Sequence, residues 1–165
     1  MLKIYPVETV KDFEVIQQLF TEYADYIFEL LSPYSLLLAE RLRMKALNEA
    51  NSLPGEYVLP KGCILLAEYK DEIAGCIAVS EIAGNICEMK RLYVKPQYRG
   101  MGIGRKLTEA IIKKAARLQY KRMRLNTNSL FVGAKPLYSS FGFVETGHIK
   151  GSPLKSSVHM ELDLE

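Results

Sequence analysis

The chain has 165 residues, of which 48% are hydrophobic and 25% are charged; this indicates one globular domain spanning residues 1–165 and leaves no room for a second. No stretch approaches the roughly 18 uninterrupted apolar residues that a membrane helix needs, so we expect a soluble, cytoplasmic protein without a membrane partner. The net charge of +3 conceals a local excess of twelve Lys or Arg over one acid between Lys90 and Arg124, which indicates a phosphate-rich cofactor, a nucleic acid or simply a solvated helix face.

Two helices are predicted in the N-terminal part of the chain. Between Val10 and Leu31 the apolar residues recur at close to the 3.6-residue period of an amphipathic helix. A second helix is predicted from Leu36 to Ala50, and it is followed by a loop that contains two Pro-Gly or Pro-x-Gly turns.

Three strands are predicted next, at Cys63–Tyr69, Ile73–Ile82 and Ile86–Val94, and the short turns between them favour an antiparallel meander. The three cysteines stand singly in these apolar runs and form no C-x-x-C pair. We therefore expect buried free thiols, with neither a nucleophilic cysteine nor a metal site.

The C-terminal part is predicted to alternate helices and strands. Pro136 is tolerated only in the first turn of a helix, so the last helix should begin at Ala134 or Lys135. The predicted elements are a helix over Ile103–Leu118, a strand over Met123–Thr127, a helix ending at Ser140, and strands over Phe143–Ile149 and Val158–Leu164. The fold class is α/β, with a mixed, mostly antiparallel central sheet flanked by helices.

Three glycines, Gly100, Gly102 and Gly104, lie where the third strand of the meander leads into a helix. Unpaired backbone N–H groups at a helix N-terminus bind phosphate, and Arg99 and Arg105 can add positive charge there. The spacing matches neither the dinucleotide fingerprint G-x-G-x-x-G nor the Walker loop, which needs Gly-Lys-Ser/Thr. A plain turn stays open as an alternative.

The same loop resembles the signature of the GNAT superfamily of acyl-CoA-dependent N-acyltransferases, Gln/Arg-x-x-Gly-x-Gly/Ala, through Gln97, Gly100 and Gly102. The segments Glu88–Pro96 and Ala134–Phe143 are similar to two further elements of that family. The resemblance implies the acyl-CoA N-acyltransferase fold, in which the fourth and fifth strands splay apart and admit the pantetheine arm of the cofactor.

The resemblance also assigns a cofactor site for acetyl-CoA, which serves as co-substrate. Main-chain groups of Leu92, Tyr93 and Val94 are implied to pair with the pantetheine amides. The pyrophosphate is implied to lie on the loop that begins the helix, formed by Arg99, Gly100, Met101, Gly102, Ile103, Gly104 and Arg105.

Two candidate catalytic residues follow from the resemblance, Glu88 as general base and Tyr138 as the acid that protonates the leaving thiolate. Glu81 or a water molecule is an alternative base. An interpretation of equal weight is that Glu88 is an ordinary strand carboxylate paired with a lysine or an arginine. Two-residue alternation places Glu88 on one face with Lys90, Leu92 and Val94 unless a bulge intervenes.

One departure from the family pattern is Phe131, which stands where many members have an asparagine that contacts the cofactor. Asn126 or Asn128 is a substitute, although polar residues at a strand end are usually turn formers. The expected partner is a small-molecule or peptide amine, with no nucleic acid, and a homodimer is compatible with the sequence. The rival hypothesis is a module that senses acyl-CoA without turning it over.

Overall fold

A computed structural model describes residues 1–165 and contains seven strands and four helices. None of the helices has the length and apolar character required to cross a membrane. Apart from the first strand and a short 3-10 helix at Pro96–Tyr98, every element was predicted to within one residue at each end. The elements are β1 (Leu2–Pro6), α1 (Val10–Leu31), α2 (Leu36–Asn51), β2 (Cys63–Tyr69), β3 (Glu72–Ala83), β4 (Ile86–Val94), α3 (Ile103–Arg117), β5 (Arg122–Thr127), α4 (Ala134–Ser140), β6 (Val144–His148) and β7 (Val158–Asp163).

The strand that the sequence did not reveal is β1, which pairs antiparallel with β2 from Leu2 opposite Tyr69 to Pro6 opposite Leu65. Five residues give too few alternations to separate a strand from a loop by periodicity. Pro6, which cannot donate to a ladder, is compatible with this position because β1 lies at the sheet edge.

One seven-stranded sheet organises the molecule, in the order β1-β2-β3-β4-β5-β7-β6. All neighbouring strands are antiparallel except β4 and β5, which are parallel. That parallel pairing covers only Ile86–Glu88 against Arg122–Arg124. Beyond Glu88 the two strands separate, as the family resemblance implied, and a gap opens in the middle of the sheet.

Helices cover both faces of the sheet and create two main cores. Leu107 and Ile111 of α3 are fully buried in the larger core on one face, whereas Ile16 and Phe20 of α1 are fully buried on the other. The start of α1 is fixed by a capping box, in which the Thr9 hydroxyl accepts a hydrogen bond from the Asp12 amide and the Asp12 carboxylate accepts one from the Thr9 amide. All three cysteines are buried and free, as predicted.

Candidate active site

The gap between β4 and β5 opens into a cavity of about 540 Å³. Its walls come from α1, α2, β4, β5, α4 and the loop between β6 and β7. Six of the predicted catalytic and cofactor-binding residues line this one cavity, namely Glu88, Leu92, Tyr93, Val94, Arg99 and Tyr138. The predicted residues Gly100–Arg105 lie outside its lining, at the start of α3.

A β-bulge in β4 determines which side chains face the cavity. Cys76 pairs with Tyr93 and Ala78 pairs with Lys90, so two steps along β3 correspond to three along β4. Arg91 lies within this bulge, and its φ of 60° is rare for a non-glycine residue. Simple alternation is therefore broken: Glu88 shares its face with Lys90, Arg91 and Tyr93, while Leu92 and Val94 pack against the core on the other face.

The glycine loop presents unbonded amides at the N-terminus of α3. Gly102 is the N-cap with φ 80°, and Gly100 has φ 78°, both in the left-handed region that favours glycine. The first hydrogen bond of α3 runs from the Lys106 amide to the Gly102 carbonyl at 3.1 Å, so the amides before Lys106 have no intrahelical acceptor. A Cβ added at Gly100 or Gly102 would meet no atom within 4 Å, so this surface is open to a ligand.

Two arginines flank the loop, but their side chains are held by aromatic rings. The Arg99 Nε donates to the Val94 carbonyl oxygen at 2.9 Å, and its guanidinium lies 4.6 Å from the centroid of the Tyr26 ring. The Arg105 guanidinium lies 5.3 Å from the centroid of Phe141. Neither has an acidic side chain within 4 Å, so both contribute uncompensated positive charge beside the loop.

Glu88 lies at the point where β4 and β5 part, and it forms an ion pair with Lys90 at 3.6 Å. Lys90 also pairs with Glu56 at 2.5 Å and with Glu49 at 3.5 Å. Burial alone would lower the pKa of Lys90, but these three carboxylates together raise it above its usual value. Glu88 thus has a charged partner that is itself shared with two other acids.

Arg91 and Glu49 were not identified from the sequence. The Arg91 guanidinium forms a charge-assisted hydrogen bond with Glu49, and the Tyr57 hydroxyl donates to the same carboxylate at 2.5 Å. Burial would raise the pKa of Glu49, but Arg91, Tyr57 and Lys90 hold that pKa below its usual value. The Glu49 carboxylate therefore connects α2 to the bulge of β4. Two consecutive charged residues in an otherwise alternating strand were the only signal of this bulge.

Glu49→Gln is expected to lower the free energy of unfolding by about 2–3 kcal/mol at pH 7, because it leaves the largely buried Arg91 charge without its anion. The folded pKa of Glu49 is depressed, so its stabilisation is present above about pH 4.5 and is lost as the pH falls through the folded pKa. Urea unfolding at pH 7 and at pH 4 measures both effects, and the gap between the variant and the wild type should narrow at pH 4.

The matched control is Glu109→Gln. Glu109 is an exposed carboxylate on α3 that bonds Lys113 at 3.0 Å. Surface pairs of this kind contribute little to stability, so its unfolding midpoint should match that of the wild type. Equal losses of unfolding free energy in the two variants would contradict the role of Glu49 in stabilising the bulge.

Tyr138 lies on α4 and is 8% exposed. Its ring packs edge-on against Phe143 with centroids 5.9 Å apart. No protein group forms a hydrogen bond with its hydroxyl, and the residue lines the cavity. Burial, with a smaller contribution from Tyr23, raises the pKa of this phenol well above its usual value, so the hydroxyl keeps its proton.

The other candidates from the sequence have side chains that are engaged by other protein groups. Glu81 is absent from the cavity lining and pairs with Lys61 at 3.2 Å. Asn128 lines the cavity, but its side-chain oxygen accepts from the Leu130 amide at 2.9 Å, as in an Asx turn. Asn126 is engaged by the His159 ring at 2.6 Å.

The basic segment Lys90–Arg124 does not form a continuous basic surface. Eight of its twelve cations have an acidic partner within 4 Å, and most of those acids come from other parts of the chain. The paired cations are Lys90, Arg91, Lys95, Lys106, Lys113, Lys121, Arg122 and Arg124. The local excess in the sequence is thus largely neutralised by the fold.

Comparison with known proteins identifies the family. The acetyltransferase (GNAT) domain model matches residues 60–145, more than half of the chain. An uncharacterized N-acetyltransferase of Schizosaccharomyces pombe is 39% identical over 111 residues, which cover 66% of this chain and 68% of that protein.

Solved structures agree on the fold. A GNAT acetyltransferase of Staphylococcus aureus superposes with a TM-score of 0.75 at 18% identity and covers 100% of both chains. The PaiA N-acetyltransferase of Thermoplasma acidophilum, solved in complex with coenzyme A, superposes with a TM-score of 0.71 at 23% identity and covers 99% of both chains. The chain therefore belongs to the GNAT family of acetyltransferases, enzymes that depend on acetyl-CoA.

Proposed function

We propose that this protein transfers an acetyl group from acetyl-CoA directly to a primary amine, with both substrates bound at once. The observation that carries the proposal is the cavity between β4 and β5, which joins an unpaired strand, Glu88 and the free hydroxyl of Tyr138. Acetyl-CoA supplies a reactive thioester there. The protein then has to hold the thioester, deprotonate the amine and protonate the departing sulfur.

Cofactor binding is assigned to the unpaired half of β4 and to the start of α3. The Lys95 amide bonds the Ala74 carbonyl of β3, so by alternation the N–H and C=O of Val94 face the gap. The Val94 carbonyl already accepts from Arg99, and the main-chain groups of Tyr93 face its partner Cys76 on β3. Main-chain groups of Leu92 and the Val94 amide are therefore proposed to bind the pantetheine arm, without Tyr93, which the family resemblance also implied. The unbonded amides of Gly100–Arg105 suit a pyrophosphate, because the helix N-terminus adds partial positive charge.

Glu88 is proposed as the general base, directly or through water. An acceptor amine with a pKa near 10 is almost entirely protonated at neutral pH, so removal of a proton precedes attack. Glu88 lines the cavity and has 22% of its side chain exposed, which leaves a path for water. Its contact with Lys90 at 3.6 Å holds the carboxylate beside the point where β4 and β5 part.

Glu88→Gln is expected to lower kcat/KM roughly 10- to 100-fold at pH 7, the low end for loss of a general base, because a thioester also reacts by alignment alone. The deficit should shrink as the pH approaches 10, since the free amine then needs no base. Glu81→Gln is the matched comparison, because Glu81 lies outside the cavity. A larger loss in Glu81→Gln would transfer the role to that residue.

Tyr138 is proposed as the acid that protonates the leaving thiolate. Its hydroxyl is free of protein partners and keeps its proton because burial raises its pKa. A backbone N–H of β4 that faces the gap, at Leu92 or Val94, would stabilise negative charge that develops on the carbonyl oxygen.

Release of free CoA thiol tests the proposed function. Saturating acetyl-CoA is incubated with a panel of primary amines, amino acids, peptides and polyamines, and thiol is measured against a control without enzyme. Amine-dependent release above the spontaneous rate is expected for at least one acceptor. Calorimetric binding of acetyl-CoA without any such release would instead identify a module that senses acyl-CoA.

A further inference from the structure

Three cations that line the cavity stand outside the ion-pair network of β4. Arg41 and Lys45 are one helical turn apart on α2, and Lys150 follows β6; all three line the cavity. None has an acidic side chain within 4 Å, whereas Lys90 and Arg91 on the cavity floor are paired with Glu49, Glu56 and Glu88. Like charges at i and i+4 destabilise a helix, so a bound anion would relieve their repulsion.

Two of these cations, Arg41 and Lys45, also belong to a region on the α2 side of β4. Arg41, Lys45 and Lys90 also line a second cavity of about 700 Å³, whose remaining walls are residues of α2 and of the segment Ser52–Tyr57. Glu49 and Glu56, which pair with Lys90, line it too, and Arg99 does not. The cofactor end is instead marked by Val94 and Arg99, next to α3.

The cavity also has an apolar wall near these cations on α2. Leu38, Leu42 and Phe131 belong to one hydrophobic cluster between α1, α2 and the segment before α4, and each lines the cavity. The same cavity therefore offers a ligand the Glu88 carboxylate, an apolar surface and the cations of Arg41 and Lys45. Guanidinium groups bind the planar carboxylate or the phosphate with two hydrogen bonds.

We propose that the acceptor is a primary amine with an apolar body and an oxyanion, a carboxylate or a phosphate, at its other end, and that Arg41 and Lys45 bind the oxyanion. The inference rests on the proposed function and adds the substrate class. The uncompensated cations would attract such an acceptor and repel a polyamine.

Four amines of similar length test the proposal in the thiol-release assay: 6-aminohexanoate, 6-aminohexyl phosphate, hexylamine and spermidine. We expect kcat/KM for at least one of the two anionic amines to exceed that for hexylamine by about tenfold or more, with spermidine the poorest and with the advantage shrinking at high salt. The better anionic amine identifies the oxyanion. Equal or better turnover of hexylamine or spermidine overturns the proposal but leaves acetyl transfer intact, whereas no release with these four amines and none across the wider panel overturns both.

The double variant Arg41→Gln/Lys45→Gln identifies the groups that bind the oxyanion. It should raise KM for the preferred anionic amine about tenfold while kcat/KM for hexylamine and KM for acetyl-CoA stay unchanged. The control Lys114→Gln/Arg117→Gln removes the same two charge types from α3, outside both cavities and without acidic partners, and should match the wild type. A parallel rise in KM for acetyl-CoA, or an equal effect in the control, overturns the assignment.

Discussion

Gly102→Glu is expected to abolish measurable binding of CoA, with Kd raised by at least about 100-fold. Two effects act together. Gly102 has φ 80°, a conformation that costs a non-glycine residue roughly 1–2 kcal/mol. The new carboxylate would also stand at the N-terminus of α3, where the amides before Lys106 are unbonded, and would repel the pyrophosphate that they are proposed to bind.

Isothermal calorimetry with CoA measures this loss, and Gly84→Glu is the matched control. Gly84 also has a positive φ, 56°, and open space where a Cβ would stand, but it lies in the turn between β3 and β4, outside the cavity. The Gly84→Glu variant carries the same kind of strain and the same charge, so its CoA affinity should equal that of the wild type. Gly102→Ala separates the two effects, since it keeps the strain without the charge. Wild-type CoA affinity in Gly102→Glu would contradict the assignment of the pyrophosphate to this loop.

The sequence predicted the elements of the fold because local patterns determine them. The apolar period of α1 and the position of Pro136 in α4 placed their helix boundaries to within one residue. It could not reveal β1, whose five residues are defined by pairing with β2. It also could not show how far β4 and β5 remain paired, since strand separation depends on contacts between distant segments.

The chemistry of the cavity was harder to predict because it depends on side chains that are far apart in sequence. Glu49 and Arg91 are 42 residues apart, and nothing near Glu49 marks it as the anion that holds a bulge. The bulge in turn moves Leu92 to the face opposite Glu88, which strict alternation cannot anticipate. The i, i+4 spacing of Arg41 and Lys45 was visible, but the absence of anions around them required the structure.

Tyr138→Phe is expected to lower kcat about 100-fold or more while KM for acetyl-CoA changes less than about threefold. The phenol hydroxyl has no protein partner, so its removal breaks no structural hydrogen bond, and the ring keeps its edge-on contact with Phe143. What is lost is a proton donor on the cavity wall. Steady-state kinetics with the best acceptor of the amine panel measures kcat and KM separately.

The control for this variant is Tyr120→Phe. Tyr120 belongs to the same core cluster and is 6% exposed, but its hydroxyl donates to the Lys61 carbonyl at 2.5 Å and lies outside the cavity. It should therefore lose stability and keep the wild-type kcat, the reverse of Tyr138→Phe. Because burial raises the pKa of Tyr138 above its usual value, the acid should stay protonated through pH 9, and kcat should not fall across that range. An unchanged kcat in Tyr138→Phe would show that Tyr138 serves only in packing and that water protonates the thiolate.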